Sequence, residues 1–227
     1  MPASQFPVNP SAQEGRYANV GEHGKGGRPR ERKVEVVAIG TSTGGPAALQ
    51  VILSRLPRNL AAGVLIVQHM PSGFTGFLAK RLNEVSSLEV KEAEGGEVIR
   101  PGLVLLAPAG QQMLVEMRQG QPRVLLTSES PLPTPFHPSF DALLFTLTPI
   151  YGSRCLAVVL TGMGQDGVRG LKALKAAGGF VLAQDEATSV VYGMPRAAVE
   201  AGVVDRVLPL EEIPQAIVEL VGLGEIP

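Results

Sequence analysis

Residues 34–45, Val-Glu-Val-Val-Ala-Ile-Gly-Thr-Ser-Thr-Gly-Gly, decide the fold of this chain. A β-branched run breaks at Gly40, and Ser42 stands between Gly40 and Gly44 in the pattern G-x-S-x-G. Pro46 follows, and Leu49, Ile52, Leu53 and Leu56 recur at helical spacing behind it. The stretch reads as strand 35–40, a sharp turn and helix 46–56. A bend of this kind lifts the serine hydroxyl clear of the sheet and leaves N–H groups at the helix start facing an anion. Ser42 is therefore a candidate nucleophile, and it needs a base from elsewhere in the chain.

Outward from this unit the pattern alternates. Strand 63–68 leads to helix 74–85, and strand 155–160 leads to helix 168–176. Strand 180–184, helix 195–201, strand 203–208 and helix 211–222 follow. Short apolar strands alternating with amphipathic helices predict an α/β fold with a doubly wound, mainly parallel sheet. The middle differs. Leu88–Ala93, Val104–Ala107, Met113–Met117 and Val124–Thr127 are short β-like runs separated by glycine turns, and they predict antiparallel hairpins at one edge. A Pro-rich stretch at 131–138 leads to helix 138–150. Residues 1–33 lack apolar periodicity and end in a basic cluster, so they read as a disordered tail or linker ahead of a single domain at 34–227.

Composition narrows the function. The 227 residues are 44% hydrophobic, enough for a sizeable core. A net charge of -1 carries no footprint for nucleic acid. Cys155 is the single cysteine, which excludes a disulfide framework and a cysteine-based metal site. No run approaches the length of a membrane span and no apolar signal region opens the chain, so no membrane insertion is expected and the cytoplasm is the default location.

Acid–base candidates are few: His23, His69 and His137, and Asp141, Asp166, Asp185 and Asp205. In open α/β sheets function gathers at the carboxyl ends of strands. Ser42, His69 and Asp166 all follow strands directly, whereas His23 lies in the tail and His137 in a Pro-flanked loop. A serine needs an imidazole to take its proton, and the imidazole needs a carboxylate to fix its tautomer. The glycine turns at 40–45 and 161–167 can supply N–H groups for an oxyanion. Each residue also has a plainer reading. A glycine turn can cradle phosphate, though G-x-G-x-x-G and G-x-x-x-x-G-K are both absent from the turn. A histidine after a strand can be purely structural, and Asp166 can cap the next helix. Chain order is informative here. No histidine follows His137 and no aspartate separates Ser42 from it, so the order is Ser, His, Asp rather than that of an ordinary α/β-hydrolase.

Ile39-Gly-Thr-Ser-Thr-Gly-Gly45, Val67-Gln-His-Met-Pro71 with Gly73-Phe-Thr75, Leu160-Thr-Gly-Met-Gly-Gln-Asp-Gly167 and Ala183–Pro195 together resemble the catalytic domain of the chemotaxis protein-glutamate methylesterases, the CheB family. The resemblance spans about residues 34–222. It implies a serine hydrolase that demethylates glutamate γ-methyl esters on the cytoplasmic region of chemoreceptors and releases methanol, with deamidation of receptor glutamines in some members. It assigns Ser42 as nucleophile, His69 as base and Asp166 as orienting carboxylate, with Thr43 and Met163 in support, and it implies no cofactor and no metal. Two departures stand out. Family members carry an N-terminal receiver domain, and no aspartate precedes Asp141 here. Residues 1–33 are then a linker remnant, the start of a shortened chain or the head of a free-standing esterase, and any separate regulatory partner is undefined. At Phe136-His137-Pro138-Ser139 the family pattern would place an arginine before the proline. A neutral histidine there would weaken charge-based substrate recognition. Two competing readings stay open: a non-catalytic α/β module that binds an anion or protein through the same turns, and an esterase for a different ester.

Overall fold

The side chains of Val36–Thr41 sort alternately onto two faces, as a strand's period of two requires. Val37 and Ile39 enter one apolar core, whereas Val36 and Ala38 enter another. The same split holds at 63–68, where Val64 and Ile66 join the first core and Leu65 and Val67 the second. A strand buried on both faces belongs in a parallel sheet covered by helices on each side. The computed structural model describes residues 33–224 and has this architecture.

In chain order the elements are β1 (Val36–Thr41), α1 (Gly45–Leu53), β2 (Gly63–Gln68), α2 (Thr75–Val85), β3 (Glu89–Glu92), β4 (Leu103–Leu106), β5 (Gln112–Arg118), β6 (Gln121–Thr127), α3 (Phe140–Tyr151), β7 (Cys155–Val159), α4 (Val168–Ala176), β8 (Phe180–Gln184), α5 (Met194–Glu200), β9 (Arg206–Leu208) and α6 (Ile213–Val221). Seven strands form one sheet in the order β3-β4-β2-β1-β7-β8-β9, and every pairing in it is parallel. Helices α1, α2 and α6 cover one face through residues such as Leu49, Leu82 and Ile217. Helices α3, α4 and α5 cover the other through Phe140, Leu171 and Ala198. The chain winds outward from β1 through β2, then returns to lay β7 on the far side of β1. That reversal makes the carboxyl ends of β1 and its neighbours the place where loops from both halves converge.

The expected α/β class with a doubly wound parallel sheet holds, and the middle segment needs one correction. Only β5 and β6 form an antiparallel hairpin, a separate two-stranded sheet whose Met113 and Val115 join the second core. The runs at 88–93 and 104–107 are instead parallel strands β3 and β4 of the main sheet. Short apolar runs between glycine turns fix strand content and leave pairing direction open, because direction depends on neighbours remote in sequence. Helix α1 ends at Leu53, short of Leu56, which is nonetheless buried. The tail read at 1–33 lies outside the described residues except for exposed Lys33.

Candidate active site

The β1–β2 register pairs Thr41 with Gln68, so the next residue on each strand, Ser42 and His69, leave the sheet side by side. The His69 N–H still donates to the Thr41 carbonyl at 3.0 Å, the last backbone rung between the strands. On the other side of β1, the Ser42 N–H donates to Thr161 O at 3.0 Å, which ties the Ser42 turn to the loop after β7. Thr161 adds a second tie, its Oγ1 donating to Thr43 O at 2.9 Å. Gly162 presses against Ser42 so closely that a Cβ there would stand 2.8 Å from the Ser42 Cβ.

The turn owes its shape to glycine at one place. Gly44 has φ 84 and lets the chain fold back so that the Gly45 N–H donates to Ser42 O at 2.9 Å. Ser42 itself is not in the left-handed region; among the described residues Gln119 is the only non-glycine there. The first glycine of G-x-S-x-G serves packing. A Cβ on Gly40 would lie 2.3 Å from the Phe140 ring, which seats in a notch formed with Gly167.

That seating places the start of α3 over the loop after β7, and the carboxylate of Asp166 meets it. Phe140 N–H donates to Asp166 Oδ2 at 2.7 Å, Asp141 N–H to Oδ1 at 3.1 Å, and Ser139 Oγ to Oδ1 at 2.8 Å. His69 Nε2 completes the set at 2.8 Å from Oδ2. Burial alone would raise the Asp166 pKa, but these donors outweigh it and hold the carboxyl below its ordinary range. The alternative in which Asp166 caps the following helix is thus not what occurs: Gly167 is the N-cap of α4, without a side-chain cap bond. Asp166 instead fills the N-terminus of α3, where free N–H groups and the helix dipole favour an anion.

With Nε2 turned to Asp166, the Nδ1 atom of His69 is the ring nitrogen left to accept a proton. Phe136 fixes the ring from one side: its plane is stacked on the imidazole with centroids 4.6 Å apart and an interplanar angle of 6°. Gln112, fully buried on β5, holds this loop from both ends, donating to Phe136 O at 2.7 Å and accepting from the Ser139 N–H at 2.9 Å. Among the described residues, the Thr43 and Met163 N–H groups donate to no backbone carbonyl, while the Met163 side chain is exposed. His137 is exposed, lies outside this constellation and contributes only its carbonyl, which accepts from Gly110 N–H at 2.9 Å. His23 is outside the described residues.

The sequence reading brought forward Ser42, His69 and Asp166, and the fold gathers all three. It missed Phe136, Ser139, Gln112 and Gln68. Ser139 carried a usable signal, a serine directly ahead of an apolar helical run, which is an N-cap pattern. Gln68 carried another, a polar residue closing a strand otherwise wholly apolar.

The family model for CheB methylesterase matches residues 37–217. A protein-glutamate methylesterase/protein-glutamine glutaminase of Moorella thermoacetica is 60% identical over 212 residues, covering 93% of this chain and 49% of that protein. A relative of the same description from Pyrococcus abyssi is 47% identical, covering 82% of this chain and 50% of its own length. The chain therefore spans about half the length of the curated relatives it matches. The crystal structure of the Thermotoga maritima CheB methylesterase catalytic domain aligns with TM-score 0.80 at 43% identity, over 83% of this chain and 100% of that one.

Proposed function

This chain belongs to the CheB methylesterase family, and on that premise we propose that residues 34–227 form a serine hydrolase that removes methyl groups from glutamate γ-methyl esters of chemoreceptors. The observation that carries the reading is the 2.8 Å pair between His69 Nε2 and Asp166 Oδ2, set beside Ser42 by the β1–β2 register. The half-length match makes activity and substrate inferences for this chain in its own right.

The chemistry follows from the geometry. Asp166 accepts a hydrogen bond from the Nε2–H group, so the neutral imidazole presents the Nδ1 lone pair to the serine hydroxyl. Ser42 Oγ attacks the ester carbonyl carbon as its proton passes to Nδ1. The carbonyl π pair moves to oxygen, and the Thr43 and Met163 N–H groups, which donate to no backbone carbonyl among the described residues, are the proposed donors to that charge. Collapse expels methoxide, which takes the proton from His69 and leaves as methanol. Water, deprotonated by the same nitrogen, then attacks the acyl-serine, and the Ser42 Oγ leaves with that proton, which restores the receptor carboxylate, the serine hydroxyl and the neutral imidazole. Asp166 remains ionised throughout and stabilises the imidazolium. The sequence of steps uses no cofactor. A glutamine side chain would form the same acyl-enzyme with ammonia as leaving group, which fits the double description borne by the relatives.

Such a substrate places the enzyme at the cytoplasmic region of its receptor, in the cytoplasm. Among the described residues no helix is long and apolar enough to cross a membrane. His137, where the family pattern would have arginine, suggests weaker charge-based recognition at that rim. The test is methanol release from a methyl-labelled receptor fragment, comparing the wild type with Ser42→Ala. The variant is expected to lose roughly 10⁴-fold or more of the activity. Undiminished release by the variant would overturn Ser42 as the nucleophile, and no release by the wild type would return the chain to the class of binding modules.

A further inference from the structure

Two buried glutamines close strands of this sheet, on either side of β1 and β7, and they are partnered very differently. Gln184, at the end of β8, is fully engaged: its Oε1 accepts from Thr161 N–H at 2.8 Å and its Nε2 donates to Thr188 O at 2.8 Å. Gln68, at the end of β2 and 2% exposed, is not. Its Nε2 donates to Ser42 O at 2.9 Å and to His69 O at 2.8 Å, using both hydrogens. Its Oε1 is the one buried side-chain polar atom without a hydrogen-bond partner among the described residues. Exchanging the two amide atoms would not relieve this, since it would set an oxygen against two carbonyl oxygens.

The position of this amide is informative. The β1–β2 ladder ends with the bond from His69 N–H to Thr41 O. Beyond it the chains part, one into α1 and the other into the loop before α2. The Gln68 amide adds one more rung where the backbone can no longer supply it, and the two carbonyls it joins belong to Ser42 and His69. Room for it depends on residue 45 being glycine, since a Cβ there would sit 1.9 Å from Gln68 Oε1. An unpaired buried acceptor and a glycine in the first helical turn both work against stability. Both are retained where they hold the amide against the two carbonyls.

We propose that Gln68 is a positioning residue for the esterase reaction, its Nε2 fixing the separation of the Ser42 and His69 main chains at the expense of an unpaired Oε1. The proposal rests on the reading of Ser42 and His69 as nucleophile and base. Removing the amide would free that separation while also removing the orphaned acceptor, so activity and stability are uncoupled in a way that ordinary core packing does not produce.

The experiment compares wild type, Gln68→Met and Gln68→Glu for kcat and KM on a methylated receptor fragment and for thermal unfolding, with Ser42→Ala as reference. Gln68→Met is expected to lower kcat roughly 10- to 100-fold, the scale of a small misplacement of reacting groups. KM should stay within about twofold and Tm should change little, since losing the donor to His69 O offsets removal of the orphaned acceptor while Ser42 O keeps the Gly45 N–H. Gln68→Glu keeps the size, lacks the donors and is expected to lose kcat likewise. A kcat near wild type in Gln68→Met, or a kcat that falls only together with Tm, overturns the proposal. Failure of both variants to fold also overturns it, by making Gln68 a structural residue. If Ser42→Ala keeps its activity, the nucleophile assignment fails instead, so the two failures are told apart.

Discussion

The His69 imidazole lies flat on the Phe136 ring, with planes only 6° apart, although the two residues come from opposite sides of the site. Phe136 is carried by the loop that Gln112 ties down, and the end of that loop also delivers Ser139 and Phe140 to Asp166. One segment thus holds the His69 ring directly and, through Asp166, by its Nε2. Aromatic pairs of this kind contribute about 0.5–1.5 kcal/mol. Phe136→Ala is expected to lower kcat roughly 2- to 10-fold with intact folding. Phe136→Tyr, which preserves the stack, should retain most of the rate. Equal losses in both variants would count against stacking as the cause.

Asp166 should govern acid stability as well as rate. Its carboxyl is buried, which raises its pKa, yet the donors from His69, Phe140, Ser139 and Asp141 bring it below the ordinary range. A carboxyl depressed in the folded state stabilises the protein above its unfolded pKa, and that contribution is lost as pH falls through the folded value. Asp166→Asn is therefore expected to lose roughly 10⁴-fold in kcat and to be less stable than wild type at neutral pH. The stability gap should narrow below about pH 4. Thermal unfolding across about pH 3–7 checks it; a gap independent of pH would contradict the linkage.

Asp141 should show the opposite sign. Burial pushes its carboxyl up, and the Asp166 charge adds to this against the hydrogen bond from Gly170 N–H at 2.8 Å. A carboxyl raised in the folded state costs stability where it is ionised, and that cost disappears on acidification. Asp141→Asn keeps an oxygen for Gly170, so it should be as stable as wild type or more so at neutral pH. Any advantage should fade toward about pH 4. Unfolding curves at two pH values suffice, and an Asn variant destabilised equally at both would refute the expectation.

Gly162→Ala probes the close approach between the two loops. The added Cβ would meet Ser42 Cβ at 2.8 Å, Ser42 N at 2.9 Å and Met194 Sδ at 2.7 Å. Met194 can swing aside, but the Ser42 backbone is held by Thr161 O and cannot. We expect kcat to fall at least about tenfold, from a displaced nucleophile, and more than KM changes. A rate like wild type would mean that the loops separate without penalty.

Much of this arrangement is legible in the chain. The spans of β2, α4 and β8 follow directly from apolar runs and their glycine borders, and Ser42, His69 and Asp166 stand out because each directly follows a strand. The direction of β3 and β4 does not follow, since four-residue strands such as Glu89–Glu92 carry too little pattern to choose a partner. Phe136, Gln112 and Gln68 were hidden for a related reason. Their roles are contacts between segments brought together by the sheet: Gln112 bonds a loop 24 residues away and Gln68 bonds Ser42 across 26. Local periodicity identifies them as polar or aromatic residues in loops and strand ends, and only the assembled fold says what they touch.

Asp166 accepts the first two N–H groups of α3 while Ser139 caps the third, so the carboxylate that holds His69 also completes the start of a helix. Any substitution that removes this carboxylate withdraws the partner of His69 and leaves two N–H groups of the helix start without their acceptor.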